Sequence, residues 1–217
     1  MNTKKRRGIY ETLKSINPYP RTGLEYTTPF ELLIAVILSS KSTDASVNNV
    51  LGNIFPIANT PKEFTSLGEG KIAEYIKSIG LYRRKAKNII ITCQLLLDRH
   101  NGEVPDNRNA LEALPGVGRK TANVLLNNMF GYPTIAVDTH VFRIANRTGL
   151  APGKDARAVE IALEKFTPDE FKKNAHNWLI LQGRHICKAR YPECWRCAIK
   201  LLCEFKEKIT YKNGKDL

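Results

Sequence analysis

Apolar residues recur at helical spacing along nearly the whole chain, and the residues between these runs are those found at helix ends. Three times the chain reads Thr-Pro-x-Glu: Thr28-Pro29-Phe30-Glu31, Thr60-Pro61-Lys62-Glu63 and Thr167-Pro168-Asp169-Glu170. Each reads as a capping box with proline at the first helical position. The Thr oxygen accepts an orphan N–H, and the Glu reaches back to the cap N–H. The pattern predicts helices over 8–16, 29–39, 44–54, 61–67, 70–79, 83–100, 107–113, 120–130, 139–147, 155–165 and 168–186. Gly80, Gly102, Gly131 and Gly149 sit where helix C-terminal glycines belong. Only Thr134 to Val137 is β-like, and it is too short to found a sheet. No repeat of fixed period is apparent. The expected fold class is all-α.

Composition narrows the class of protein. The chain has 217 residues, of which 42% are hydrophobic, and this excludes a disordered chain. Its 14 Gly and 11 Pro are ordinary usage and exclude collagen. Basic Met1 to Arg7 leads into no apolar run, so no secretory signal is expected. The longest apolar run, Leu32 to Leu38, is too short to span a bilayer. A soluble, cytoplasmic protein with no membrane partner is expected. The 34 Lys and Arg against 21 Asp and Glu leave a net charge of +13, which attracts polyanions, nucleic acid above all. The excess is uneven: residues 184–217 hold nine basic residues against four acidic ones.

Four features carry chemistry. The first is Leu114-Pro115-Gly116-Val117-Gly118-Arg119-Lys120. Pro115 stops one helix, and Gly116 and Gly118 permit a sharp turn into the next. The bare N–H groups at that helix start suit an anion. The run resembles a helix-hairpin-helix motif, which grips DNA phosphate without reading sequence, although a plain tight αα-turn has the same shape. The second feature is Lys120 itself, in the first turn, where the helix dipole and Arg119 disfavour an ammonium. A neutral amine there would be a nucleophile able to form Schiff bases. Taken alone, the residue reads more simply as another phosphate-gripping lysine. The third is Val137-Asp138-Thr139-His140. Asp138 is placed to cap the following helix, and its carboxylate could also stabilise positive charge developing on a sugar. His140 reads as a packing or hydrogen-bonding residue. The fourth is Cys187-x6-Cys194-x2-Cys197-x5-Cys203. Four thiolates so close together suit zinc or an iron–sulfur cluster. Cys93 lies inside a helix and reads as a core thiol.

Together, the hairpin run, Val137-Asp138-Thr139-His140 and the four-cysteine array resemble the endonuclease III family of bacterial DNA glycosylases. The similarity runs in register from about Pro29 to Cys203, and the cysteine spacing is its most specific part. The resemblance implies an all-α, two-lobed fold with a cleft. Residues 22–132 would form a six-helix barrel lobe carrying the hairpin at about 107–130. Residues 1–21 and 133–217 would form a lobe holding a 4Fe-4S cluster. It implies base excision repair of damaged double-stranded DNA by a monomer: removal of oxidised pyrimidines, then β-elimination at the abasic site. Lys120 falls on the nucleophile and Asp138 on the catalytic carboxylate. Cys187, Cys194, Cys197 and Cys203 fall on the cluster ligands. The hairpin's Gly116, Gly118 and Arg119 would grip phosphate, helped by Lys188 and Arg190 on the loop between the first two cysteines.

One position departs from the family. Lys41, in Ser39-Ser40-Lys41-Ser42-Thr43-Asp44, stands where relatives usually have a glutamine that fills the gap left by the extruded nucleotide. Leu81 falls on the second wedge and is apolar as expected. An ammonium only donates, so Lys41 would favour lesions opposite guanine if it reaches the base edge; otherwise it adds only non-specific attraction. The rival readings are a mismatch adenine glycosylase, which would generally lack the lysine at position 120, a non-catalytic DNA-binding or electron-transfer protein, and a zinc module.

Overall fold

The computed structural model describes residues 1–21 and 23–209. Thr22 and 210–217, which hold the outer bounds of the two expected lobes, lie outside the described residues. The described residues form ten α-helices and one short 3-10 turn, with no strand. The all-α expectation is met. The chain divides into two compact units, one of Gly23–Gly131 and the other of Met1–Thr22 with Tyr132–Leu217.

The Gly23–Gly131 unit holds α2 (Pro29–Ser39), α3 (Asp44–Ile54), α4 (Pro61–Tyr75), α5 (Tyr82–His100), α6 (Arg108–Glu112) and α7 (Arg119–Phe130). Its centre is α2, buried on every side from Phe30 to Leu38 and packed against α3, α5 and α7. A helix apolar all round has no solvent face to offer, so it must be the core of its unit. Phe30 meets Phe64 of α4 edge to face at 5.2 Å. The Thr60 box forms in full. At α2, Thr28 accepts from Glu31 N, while the Glu31 carboxylate reaches one residue further back, to Thr27 N at 2.6 Å. Gly68 breaks α4 with a φ of 76°, where the sequence separates two helices. The helix then ends at Tyr75, four residues early.

The other unit holds α1 (Thr3–Ile16), α8 (Thr139–Thr148), α9 (Ala156–Phe166) and α10 (Asp169–His185). Its core joins Ile9, Tyr10 and Leu13 to Val141, Ile144, Trp178 and Leu179. Tyr10 stacks on Phe171 at 5.6 Å, and Phe171 meets Trp178 at 6.2 Å. Helix α1 begins five residues before its predicted start, with Asn2 accepting from Lys5 N. Its polar first turn is held by tertiary contacts. Arg6 donates to the Leu150 carbonyl and lies over the Phe166 ring, and Glu204 pairs with Lys5 and the N-terminal amine. The third capping box does not form. The Thr167 hydroxyl is hydrogen-bonded to buried Tyr10 at 2.8 Å, and no side chain caps α10.

Gly131 and Gly149 end α7 and α8 in the left-handed region, and left-handed Gly102 follows the end of α5. Gly80 does not have a positive φ. It serves close approach instead: a Cβ there would lie 3.2 Å from the Lys41 carbonyl oxygen.

Candidate active site and metal centre

The hairpin turn forms as its glycines require. Gly116 takes a φ of 85°, and Val117 N bonds back to the Leu114 carbonyl at 3.0 Å. Both α2 and α5 support the turn. Thr92 donates to the Pro115 carbonyl, and a Cβ at Gly116 would meet Asn88 at 3.2 Å and Ile37 at 3.6 Å. Gly118 is the N-cap of α7 and brings no side chain, so no side chain caps that first turn. Lys120 is exposed in this turn, while half-buried Arg119 pairs with Glu112 at 3.6 Å.

Two further predicted DNA contacts belong to the same unit. Lys41 and Leu81 are both exposed, and both take left-handed backbone, with φ of 56° and 61°. Such a conformation costs a non-glycine residue about 1–3 kcal/mol and persists only where its surroundings enforce it. One group packed at these loops has no sequence signal. Lys85 is 5% exposed, and its ammonium donates to the Leu38 and Ser40 carbonyls at 2.8 and 2.6 Å. These carbonyls lie at the negative end of α2, where a cation is favoured. Burial pulls the Lys85 pKa down. In the run Arg83-Arg84-Lys85-Ala86-Lys87 the sequence shows only another surface base.

In the other unit Asp138 caps α8, as its spacing suggests. Its Oδ1 accepts from His140 N at 2.9 Å and Val141 N at 2.8 Å. The buried segment leading to it is held by His176 of α10, whose Nδ1 donates to the Ala136 carbonyl at 2.8 Å. His140 is a packing and hydrogen-bonding residue here. Its Nδ1 meets Arg143, and its backbone lies against Gly183, where an added Cβ would come within 2.9 Å of the His140 Cβ. Asp138 is thus set by the seating of α8 on α10.

Cys187, Cys194, Cys197 and Cys203 line one cavity, together with Ile144 and Ile199. Donors point at three of the sulfurs: Gln182 Nε2 at 3.2 Å from Cys197, Phe205 N at 3.5 Å from Cys203 and Arg147 at 3.7 Å from Cys187. Such donors suit thiolates that ligate a metal. Burial pushes the Cys197 thiol up to about 11 and raises the Cys203 thiol as well. No group of three or more His, Cys, Asp or Glu among the described residues is arranged to hold a metal ion. Cys93 is the core thiol expected, fully buried and pushed up to about 12 by desolvation.

The loop between the first two cysteines is tied to α8. Arg143 donates to the Cys187 carbonyl, and Arg147 donates to the Lys188 and Ala189 carbonyls at 2.6 and 2.9 Å. On the loop, Lys188 is paired with Glu193 at 2.5 Å, and Arg196 also bonds Glu193. The Lys188 hydrogen bond, then that of Arg196, holds the Glu193 carboxyl below the usual range. Arg190 is exposed, with no hydrogen bond or ion pair among the described residues. Arg143 and Arg147 escape the sequence reading because their spacing also suits an ordinary polar helix face.

Residues 34–169 match the family described as HhH-GPD superfamily base excision DNA repair protein. The chain is 57% identical over 209 residues to endonuclease III of Escherichia coli (strain K12), covering 96% of this chain and 99% of that one. It is 57% identical over 211 residues to endonuclease III of Haemophilus influenzae, covering 97% and 100%. The structure is similar, with a TM-score of 0.87 at 42% identity, to a trapped endonuclease III–DNA covalent intermediate in an estranged-adenine complex, covering 94% of this chain and 96% of that one. It is similar, with a TM-score of 0.85 at 25% identity, to a thermostable thymine-DNA glycosylase, covering 95% and 98%. The chain belongs to the HhH-GPD superfamily of base excision DNA repair proteins, and within it to the endonuclease III family. It is an enzyme of the DNA glycosylase and abasic-site lyase class. No helix of the described residues is long and apolar enough to cross a membrane.

Proposed function

We propose that the chain removes oxidised pyrimidines from double-stranded DNA and then cuts the abasic strand by β-elimination through Lys120. The carrying observation is the start of α7, where a glycine cap leaves the first turn without a side-chain cap and Lys120 stands exposed in it. The similarity to a trapped endonuclease III–DNA covalent intermediate supports a covalent route. A base inside the duplex is out of reach, so its nucleotide must first be flipped out. The +13 charge supplies sequence-independent affinity, and the N–H groups at Gly118, Arg119 and Lys120 hold a backbone phosphate.

In the chemical step the Lys120 amine adds to C1′ as the bond from C1′ to the base breaks, and the base leaves with that electron pair. Loss of a proton from nitrogen and opening of the sugar give a protonated Schiff base. This acidifies the C2′ hydrogen. When that proton leaves, a C1′–C2′–C3′ unsaturated system forms and the C3′–O bond breaks, releasing the phosphate. Asp138 stabilises the positive charge on the sugar or accepts the lysine proton. Water then hydrolyses the imine and returns Lys120.

The four cysteines are proposed as ligands of a 4Fe-4S cluster. The donor set fits: four thiols line one cavity, and N–H groups are aimed at three of the sulfurs. A bound cluster supplies a fold-locking crosslink, since metal binding and local folding are coupled. The chemistry above involves no redox change. We further propose that Gly23–Gly131 is the six-helix barrel lobe, that the other unit is the cluster lobe, and that the protein acts as a cytoplasmic monomer. Exposed Arg190 and, less freely, Lys188 add phosphate contacts.

The test is a duplex carrying one oxidised pyrimidine. Native protein should release the base and leave a 3′ unsaturated aldehyde. Lys120→Gln should bind the duplex but leave the strand uncut, because an amide cannot form an imine. Strand cleavage by Lys120→Gln at the native rate would assign the chemistry to another group.

A further inference from the structure

Lys85 takes no part in the chemistry above, yet it is a buried ammonium placed with care. Its two acceptors, the Leu38 and Ser40 carbonyls, bracket the exit of α2. Ser40 turns the chain out of the helix, Ser42 N bonds back to the Ser39 carbonyl at 3.1 Å, and Lys41 between them is left-handed. From the second loop, Gly80 lies against the Lys41 carbonyl, and Leu81 follows in left-handed backbone as the N-cap of α5. Lys85 N then bonds to the Leu81 carbonyl at 3.0 Å. One residue therefore touches both loop tips, with its backbone on Leu81 and its side chain on the turn that presents Lys41.

The same face of α5 continues at helical spacing to Asn88 and Thr92, which support Gly116 and Pro115 of the hairpin turn. A single stripe of one helix thus sets the spacing between the two loop tips and the phosphate-gripping turn. Burying an ammonium is costly unless its donors are used. Here two of its three donors close on backbone carbonyls that would otherwise be orphans at a helix end. Burial also pulls the Lys85 pKa down, as expected for a group sealed from water.

We infer that Lys85 is a positioning residue for nucleotide extrusion, locking the Lys41 and Leu81 loops in register so that both enter the duplex together while α7 holds the phosphate. The inference rests on the function proposed above and on the wedge roles that the family resemblance gives Lys41 and Leu81. It predicts a split between two substrates. A paired lesion must be forced from the stack, whereas an already abasic site has no base to unstack or unpair.

Single-turnover rates of Lys85→Met and Gly80→Ala would be measured on a duplex with one paired oxidised pyrimidine and on the same duplex with a preformed abasic site. Gly80→Ala presses on the Lys41 carbonyl from outside without removing the clamp, and it decides the matter if Lys85→Met does not fold. The expected result is a loss of about tenfold or more on the paired lesion, the scale of a small misplacement of positioned groups. Cleavage of the abasic duplex should stay within about threefold of native. Equal losses on both duplexes would make Lys85 merely structural and overturn the inference. Native rates on both would overturn it as well. A native protein inert toward both duplexes would instead overturn the functional reading, and this inference with it.

Discussion

Helices α7 and α8 begin in opposite ways. At α7 the cap is Gly118, which offers no side chain, so no side chain caps the positive end of that helix. At α8 the cap is Asp138, whose Oδ1 takes two of those N–H groups. Under the proposed function the same backbone feature serves an external anion in one place and an internal one in the other. The difference lies in one residue type and shows how the chain divides the work. In the proposed reaction the uncapped start of α7 holds phosphate and presents Lys120. The start of α8 uses its N–H groups to orient a carboxylate, whose Oδ2 makes no hydrogen bond among the described residues and, in the proposed reaction, serves the chemistry.

The contrast breaks most sharply at Asp138. Asn caps as well as Asp, so Asp138→Asn should melt like native protein while turnover falls by about 10²–10⁴-fold, the range for losing a charged partner. Asp138→Ala should add a stability loss of about 1 kcal/mol. Thermal melts and single-turnover rates on both variants separate the two roles. If turnover falls only as far as stability does, the carboxylate is a cap and nothing more.

The converse change is Gly118→Asp. The backbone there is extended and nothing lies within 4 Å of an added Cβ, so the side chain fits. It should stabilise the protein by a few tenths of a kcal/mol, ~0.3, as a new cap. It should also weaken DNA binding by at least about tenfold, the scale of one lost charge-assisted hydrogen bond. Unchanged affinity would show that the uncapped turn holds no phosphate.

A smaller effect separates the two bases of the cysteine loop. Arg190→Gln should reduce the log–log salt slope of DNA binding by about one. Lys188→Gln should reduce it by less, because its ammonium already lies 2.5 Å from Glu193. Equal changes would mean that the Glu193 pair opens on DNA.

The sequence makes some of these features plain and hides others, for physical reasons. Local motifs are readable: the Thr60 box, the glycine turn, the Asp138 cap and the crowding of cysteines all depend on residues a few positions apart. What fails is whatever a distant partner decides. Thr167 has the same local signature as Thr60, but Tyr10 takes its hydroxyl from 157 residues away. The first turn of α1 has no apolar period, and it folds because Arg6 finds Leu150 and Phe166. Gly80 looks like a helix stop and turns out to leave room for the Lys41 backbone. Lys85 looks like one base among several and is buried, because the carbonyls it serves lie 45 and 47 residues away.

The central claim is that the α7 lysine is the nucleophile, and borohydride reduction tests it directly. Native protein mixed with an abasic-site duplex and reduced should yield one stable protein–DNA adduct. Digestion and mass mapping should place that adduct on the peptide containing Lys120, and Lys120→Gln should give none. A crosslink mapped to any other amine, or one that persists undiminished in Lys120→Gln, would contradict the account.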